Sequence, residues 1–271
     1  IFRDILSDNG MADKARNFLL SSGKLQVLCY KYEMEKTLRP PHYAGFQLLG
    51  LNDYSGQGTA LVGPLNVLWK EKGYVDSLYW REFCAPITVL ARLPKFTYLS
   101  GEEIPYAIEV ANYGENEITS TKARVQILDK DSNIVAQNLF GGDNIALGGC
   151  QAIGTYTMTL DVTEPTQYIM QAELFGEVNG KDVSVVNHWN LWVYPRHSAD
   201  EMKQLQGTIK NLYICEGTID DKADKVLSKG GTVLVLAGEK LTYGRGISQQ
   251  FTPVFWNTSW FKMKPPHTTG M

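Results

Sequence analysis

The chain has 271 residues, 44% of them hydrophobic and 20% charged, with a net charge of −3. This is the composition of a globular protein, and at roughly 100–200 residues per domain it predicts two domains with a third, partial one. Lys and Arg form no cluster, which excludes a basic nucleic-acid surface, and no apolar run approaches the ~20 residues of a membrane span. The cysteines Cys29, Cys84, Cys150 and Cys215 stand far apart, without CxxC or CxxxH spacing, so neither a metal site nor a cofactor is expected. The chain begins at Ile1 and runs straight into a helical pattern, and both ends read as cuts through a longer protein.

In chain order, Met11, Ala15, Phe18 and Leu19 recur at helical spacing, with Gly23 as the stop. Leu25 to Tyr30 reads as a short buried strand and Glu33 to Arg39 as a short helix ended by Pro40 and Pro41. Gly45 to Leu51 reads as a second buried strand. Thr59 to Lys72 reads as a helix with Leu61, Leu65, Leu68 and Trp69 on one face, and Asp76 caps a helix through Phe83. Buried strands alternating with helices imply a parallel sheet. Two strands cannot complete one, so residues 1–90 are expected to self-associate or to repack.

Residues 92–195 alternate with a period near two, as in Ile104-Pro-Tyr106-Ala-Ile108 and Tyr168-Ile-Met170-Gln-Ala172. Turn signals such as Ser100-Gly101 and Asn179-Gly180 separate the runs, and seven or so short strands of this kind predict an immunoglobulin-like β-sandwich. Residues 196–271 switch back to one βαβ unit: strand to Cys215, helix on Ile219, Ala223, Val226 and Leu227, strand Thr232 to Ala237. A right-handed crossover is expected there. The aromatic segment with Phe251, Trp256 and Trp260 is expected to pack on something.

Three constellations could carry chemistry. Glu33, just past an apolar strand, stands where barrel enzymes place catalytic carboxylates, and a retaining glycosidase needs two of them about 5 Å apart. Glu33 and Glu35 also fit as ordinary first-turn helix acids. The loop Asn52-Asp53-Tyr54-Ser-Gly-Gln57-Gly58 fails the dinucleotide and P-loop spacings, and its glycines suit a tight turn at a barrel mouth. Cys215 between strand and helix could be a nucleophile, although a buried structural cysteine is the ordinary reading. His42, His188 and the sequon at Asn257 have ordinary readings as a loop residue, a sandwich-edge residue and a chance triplet.

Two runs carry a family resemblance: Ser22 to Pro41 (SGKLQVLCYKYEMEKTLRPP) and Gly45 to Tyr74 (GFQLLGLNDYSGQGTALVGPLNVLWKEKGY). They resemble the final strands and loops of the catalytic barrel in glycoside hydrolase family 2, of the β-galactosidase-like group. Arg81 to Ile104 resembles the passage into an immunoglobulin-like domain, and Phe251 to Met271 a late segment of those enzymes. The resemblance implies a multidomain fold: a (β/α)8-barrel end over 1–91, an immunoglobulin-like sandwich over 92–195 and a partial α/β unit, flavodoxin- or amidotransferase-like, over 196–271. It implies a retaining exo-β-glycosidase acting on terminal β-linked sugars, with Glu33 as the nucleophile and Tyr30, Asn52, Asp53, Tyr54 and Gln57 lining the substrate site. In the family the glutamate follows the strand's cysteine directly, where this chain has Tyr30. The acid/base would belong to the missing N-terminal portion of the same enzyme, so the chain alone is expected to be inactive. The resemblance also implies a carbohydrate substrate and a periplasmic or extracellular setting. The alternative is a noncatalytic carbohydrate-binding or structural sandwich module.

Overall fold

A computed structural model describes residues 2–41, 45–56, 61–237, 242–243 and 247–248. The chain divides into two compact units, Ile1–Pro195 and Arg196–Met271.

The first unit opens with helix α1 (Phe2–Asp8) and a single 3-10 turn, Ala12–Lys14. Helix α2 (Ala15–Thr37) follows, and α3 spans Ser77–Phe83. Among the described residues no strand precedes Ile87, so the expected barrel end is corrected. Leu25 to Tyr30 lies inside α2. A run of six residues, five of them apolar, fits a buried strand or a helix, and its own Gln26 and the Lys, Glu and Met that flank it are good helix formers. Gly23 does not stop the helix. It is buried inside it, and a Cβ there would collide with the Tyr74 ring, so the missing side chain is the socket for that ring.

Gly45 to Leu51 forms no strand. This stretch leads only into the isolated bridge Asn52–Leu65. The described part of the expected helix over 59–72 is irregular as well. Gly63-Pro64 interrupts it, and the Asn66 carboxamide accepts from Leu68 N at 2.8 Å and Lys70 N at 3.1 Å. Such a side chain offers the backbone a turn in place of a helix. Asp76 does cap α3, accepting from Tyr79 N at 2.8 Å.

The rest of the unit is a β-sandwich. One sheet has order β1 (Ile87–Arg92), β3 (Glu103–Asn112), β6 (Gly149–Thr159), all antiparallel. The other has order β2 (Thr97–Leu99), β8 (Lys181–Tyr194), β7 (Thr166–Val178), β4 (Thr119–Leu128), β5 (Ile134–Gly141). Its one parallel pair is β2 with β8. Alternate residues point inward, and Ile104, Ile108 and Val110 of one sheet share a core with Val125, Met170, Leu174 and Leu191 of the other. Asn179 and Gly180, at φ 53° and 70°, make the two-residue hairpin between β7 and β8, since both turn positions need positive φ. A bulge at Ile108/Glu109 breaks the alternation and buries Glu109, whose carboxylate takes Arg39 at 2.7 Å and Arg92 at 2.8 Å. Strand β1 starts five residues before the expected 91/92 boundary, so the segment after α3 already belongs to the sandwich.

One side of the sandwich is left open by the sheets. Strand β1 ends its sheet, and β2 covers β8 only at Trp192–Tyr194. Open strand edges need a cover, and α2 and α3 supply it. Arg39, just past α2, donates to Ala91 O at 3.0 Å.

In the second unit α4 (Ala199–Thr208) begins with a capping box between Ser198 and Glu201. Strands β9 (Leu212–Glu216) and β10 (Thr232–Leu236) pair in parallel, with α5 (Asp221–Leu227) between them in sequence. Asp220 caps α5 through Ala223 N at 2.8 Å. The described part amounts to this βαβ unit, α4 and a two-residue ladder between Thr242–Tyr243 and Ile247–Ser248; it does not build a flavodoxin- or amidotransferase-like sheet. The aromatic segment from Phe251 and the sequon at Asn257 lie outside the described residues.

Candidate functional site

The features with chemical potential gather where α2 covers the open edge. Lys31 and Glu35 are one helical turn apart, on the same buried face of α2 as Gly23, Val27 and Met34. Their side chains are 5% and 7% exposed, and Lys31 Nζ lies 2.8 Å from Glu35 Oε1. From β8, the inward positions Asn187 and Trp189 complete the cluster. Asn187 Nδ2 donates to Glu35 Oε1 and to Val89 O of β1, both at 2.9 Å, while its carbonyl accepts from Lys31. Trp189 Nε1 donates to Glu35 Oε2 at 3.0 Å. The network therefore ties the helix to both sheets, and it satisfies the buried charges with hydrogen bonds, as burial requires.

Aromatic rings surround the ammonium. Lys31 Nζ lies 5.0 Å from the Trp189 ring centroid, 5.2 Å from Phe83 and 5.8 Å from Tyr79, within cation–π range. Burial lowers the Lys31 pKa below its ordinary value, against the opposing pull of the Glu35 and Glu82 charges. Burial, and then the charges of Glu82 and Glu35, push the Tyr79 hydroxyl up to about 12. His188 Nδ1 lies 2.7 Å from Glu82 Oε2, a buried oxygen that has no hydrogen-bond partner, and the ring's other nitrogen is Nε2. The imidazole also stacks on Tyr79, with centroids 5.1 Å apart.

Beside this network is a pocket of about 180 Å³, with walls from Tyr32, Tyr79, Phe96, Trp189 and Trp192. Lys31 and Glu35 line it from the helix, His188 and Asn190 from the strand.

The residues expected from sequence fall elsewhere. Glu33 is on the exposed side of α2, so the strand-end argument for it as a nucleophile falls away. Tyr30 is half-buried, edge-on to Trp80 at 5.8 Å. Asp53 is buried and already engaged: it accepts from Gly63 N at 3.0 Å and holds Lys72 Nζ at 2.7 Å, which latches the two ends of its loop. Asn52 donates to Asp53 O at 3.1 Å, and Tyr54 is exposed. Gln57 and His42 lie outside the described residues. None of Glu33, Tyr30, Asn52, Asp53 and Tyr54 lines the aromatic pocket. Cys215 is buried within β9, one residue before its end. Among the described residues, no group of three His, Cys, Asp or Glu side chains could hold a metal, and no helix is long and apolar enough to cross a membrane.

The cluster carried two signals in the sequence. Lys31 and Glu35 interrupt the apolar stripe of Val27 and Met34 at helical spacing. Asn187 occupies an inward position on a strand whose following inward positions are Trp189, Leu191 and Val193.

Two family models match parts of the chain: a domain of unknown function (DUF8488) over residues 102–195, and another (DUF8487) over residues 214–271. No curated protein matches the chain. Similar solved structures include Spo0M, a sporulation control protein from Bacillus subtilis, at 17% identity over 42% of this chain and 51% of that one, with a TM-score of 0.30. The CARDB domain of the PF1109 protein from Pyrococcus furiosus, in complex with di-metal ions, is 16% identical over 41% of this chain and 94% of its own, with a TM-score of 0.30. The C-terminal domain of Wzt is 5% identical over 42% and 75%, with a TM-score of 0.32. The chain thus spans about half the length of the Spo0M structure.

Proposed function

We propose that this chain is a supporting region of a retaining exo-β-glycosidase, β-galactosidase-like, that removes terminal β-linked sugars. The catalytic carboxylates come from outside the chain. Two things support this reading. The runs at Ser22–Pro41 and Gly45–Tyr74 resemble the family in order, although Tyr30 stands where the family has its glutamate. Within this chain the nearest candidates for the carboxylate pair are unsuited, Glu33 lying on an outer helix face and Asp53 being bound to Lys72.

The observation that carries the proposal is the apolar surface before the sandwich. Phe18, Leu25, Leu49, Leu68, Trp69 and Leu78 are all exposed, Leu49 to 95%. Extensive exposed apolar surface marks a place where another protein surface docks, and here Leu25, Leu49, Leu68 and Trp69 fall on the runs that carry the family resemblance. The remainder of the enzyme is the partner that covers it.

The test is hydrolysis of aryl β-glycosides by this chain and by the protein encoded by the whole reading frame that contains it. The longer protein is expected to turn over at least one aryl β-glycoside, and the chain alone none. A folded longer protein that hydrolyses none of the β-galactoside, β-glucoside, β-mannoside and β-glucuronide substrates would overturn the proposal.

A further inference from the structure

The pocket between α2 and β8 has two kinds of surface in a small space. Its walls are aromatic. The polar groups that line it are partly committed, and what remains uncommitted defines the ligand. Asn190 Oδ1 accepts from Gln167 Nε2 at 3.0 Å, which leaves the amide Nδ2 as the group able to donate. His188 Nδ1 is taken by Glu82, which leaves Nε2. Glu35 Oε2 receives Trp189 Nε1 at 3.0 Å and retains further acceptor capacity, since a carboxylate oxygen accepts more than one hydrogen bond.

Charge and size narrow the choice. Lys31 and Glu35 neutralise each other, and Glu82 faces His188. An ionic ligand would bring an uncompensated charge into this half-closed aromatic space, which is costly. A purely apolar ligand would cover the Asn190, His188 and Glu35 groups without replacing their water, and buried polar groups left unpaired are costly too. About 180 Å³ is well below the roughly 300–1,000 Å³ of drug-sized sites. The matching ligand is a single small ring with one apolar face for the aromatic walls and an edge of groups that both donate and accept.

We infer that this pocket binds one neutral pyranose ring, with its C–H face on the aromatic walls and its hydroxyls on Asn190, His188 and Glu35. The inference stands on the pocket alone and does not require the glycosidase reading.

Tryptophan fluorescence of this chain, titrated with methyl β-galactopyranoside and methyl β-glucopyranoside, tests it. Cyclohexanol serves as the apolar control and methyl β-glucuronide as the charged one. Saturable binding of at least one pyranoside is expected, with Kd on the order of 1 mM and both controls at least about tenfold weaker. Trp192→Ala and Asn190→Ala are each expected to weaken binding by about tenfold or more. Tyr32→Ala, at an exposed wall position, is the variant least able to disturb folding, and it is expected to weaken binding in the same direction. No saturable signal from either pyranoside, or controls that bind as tightly, would overturn the inference. Binding by this chain combined with no hydrolysis by the longer protein would keep it and remove only the glycosidase reading.

Discussion

Glu35→Ala is expected to destabilise the first unit by about 3–5 kcal/mol, the cost of breaking a buried ion pair by removing one partner. The carboxylate has three partners: Lys31 Nζ, Asn187 Nδ2 and Trp189 Nε1. Its removal leaves an ammonium enclosed by Phe83, Trp189 and Tyr79, and takes the acceptor from two buried N–H groups. The double variant Lys31→Met, Glu35→Leu removes both charges and keeps the volume, and it is expected to cost much less than Glu35→Ala alone. Urea denaturation of this chain, followed by circular dichroism, measures both. A Glu35→Ala cost below ~1 kcal/mol, the range of exposed ion pairs, would show that α2 is not held on the sandwich by this network.

The same cluster makes the stability of the first unit depend on pH. The folded Lys31 has a lowered pKa, so between that value and the unfolded 10.5 the unfolded chain binds more protons. Stability contributed at this site therefore rises with pH through that window, and Lys31→Met removes the rise.

Leu174→Ala is expected to cost about 2–5 kcal/mol, the range for truncating a buried leucine. Leu174 is 0% exposed on β7, an inner strand of the five-stranded sheet, and it packs with the inward residues of the other sheet. The neighbours there are strand residues of paired sheets, which collapse poorly into a cavity. Leu139, on the edge strand β5, is exposed, and Leu139→Ala is expected to change stability by no more than about 0.5 kcal/mol. Denaturation midpoints at unchanged slope compare the two, and equal effects would refute a core between these sheets.

The strands of the first unit were readable because alternation is a local signal. Ile104, Tyr106 and Ile108 advertise their burial within five residues, and Asn179-Gly180 marks a hairpin by backbone chemistry alone. Asp76 could be recognised as a cap for the same reason. Leu25 to Tyr30 was misleading because a short run with five apolar residues in six carries no clear period, and the deciding contact, Gly23 against Tyr74, spans more than 50 positions. Gly45 to Leu51 reads as a strand by composition, but it has no neighbouring strand among the described residues to form a ladder with. The Lys31–Glu35 cluster was half visible. Glu35 was legible only as a helix acid, since its partners Asn187 and Trp189 lie 152 and 154 residues away. Interactions at that distance arise from the way α2 closes the open edge, which no local pattern records.

We propose that the exposed apolar residues Phe18, Leu25, Leu49, Leu68, Trp69 and Leu78 are covered by the remainder of the proposed enzyme. Phe18→Glu and Leu25→Glu check this, with each variant made both in this chain and in the protein encoded by the whole reading frame. Both residues are exposed in this chain, Leu25 to 62%, so the expected change in its stability is within about 0.5 kcal/mol. In the longer protein each glutamate would be buried without a partner, and the expected result is a lower melting temperature and lost aryl β-glycosidase activity. Unchanged melting and activity in the longer protein would contradict the claim.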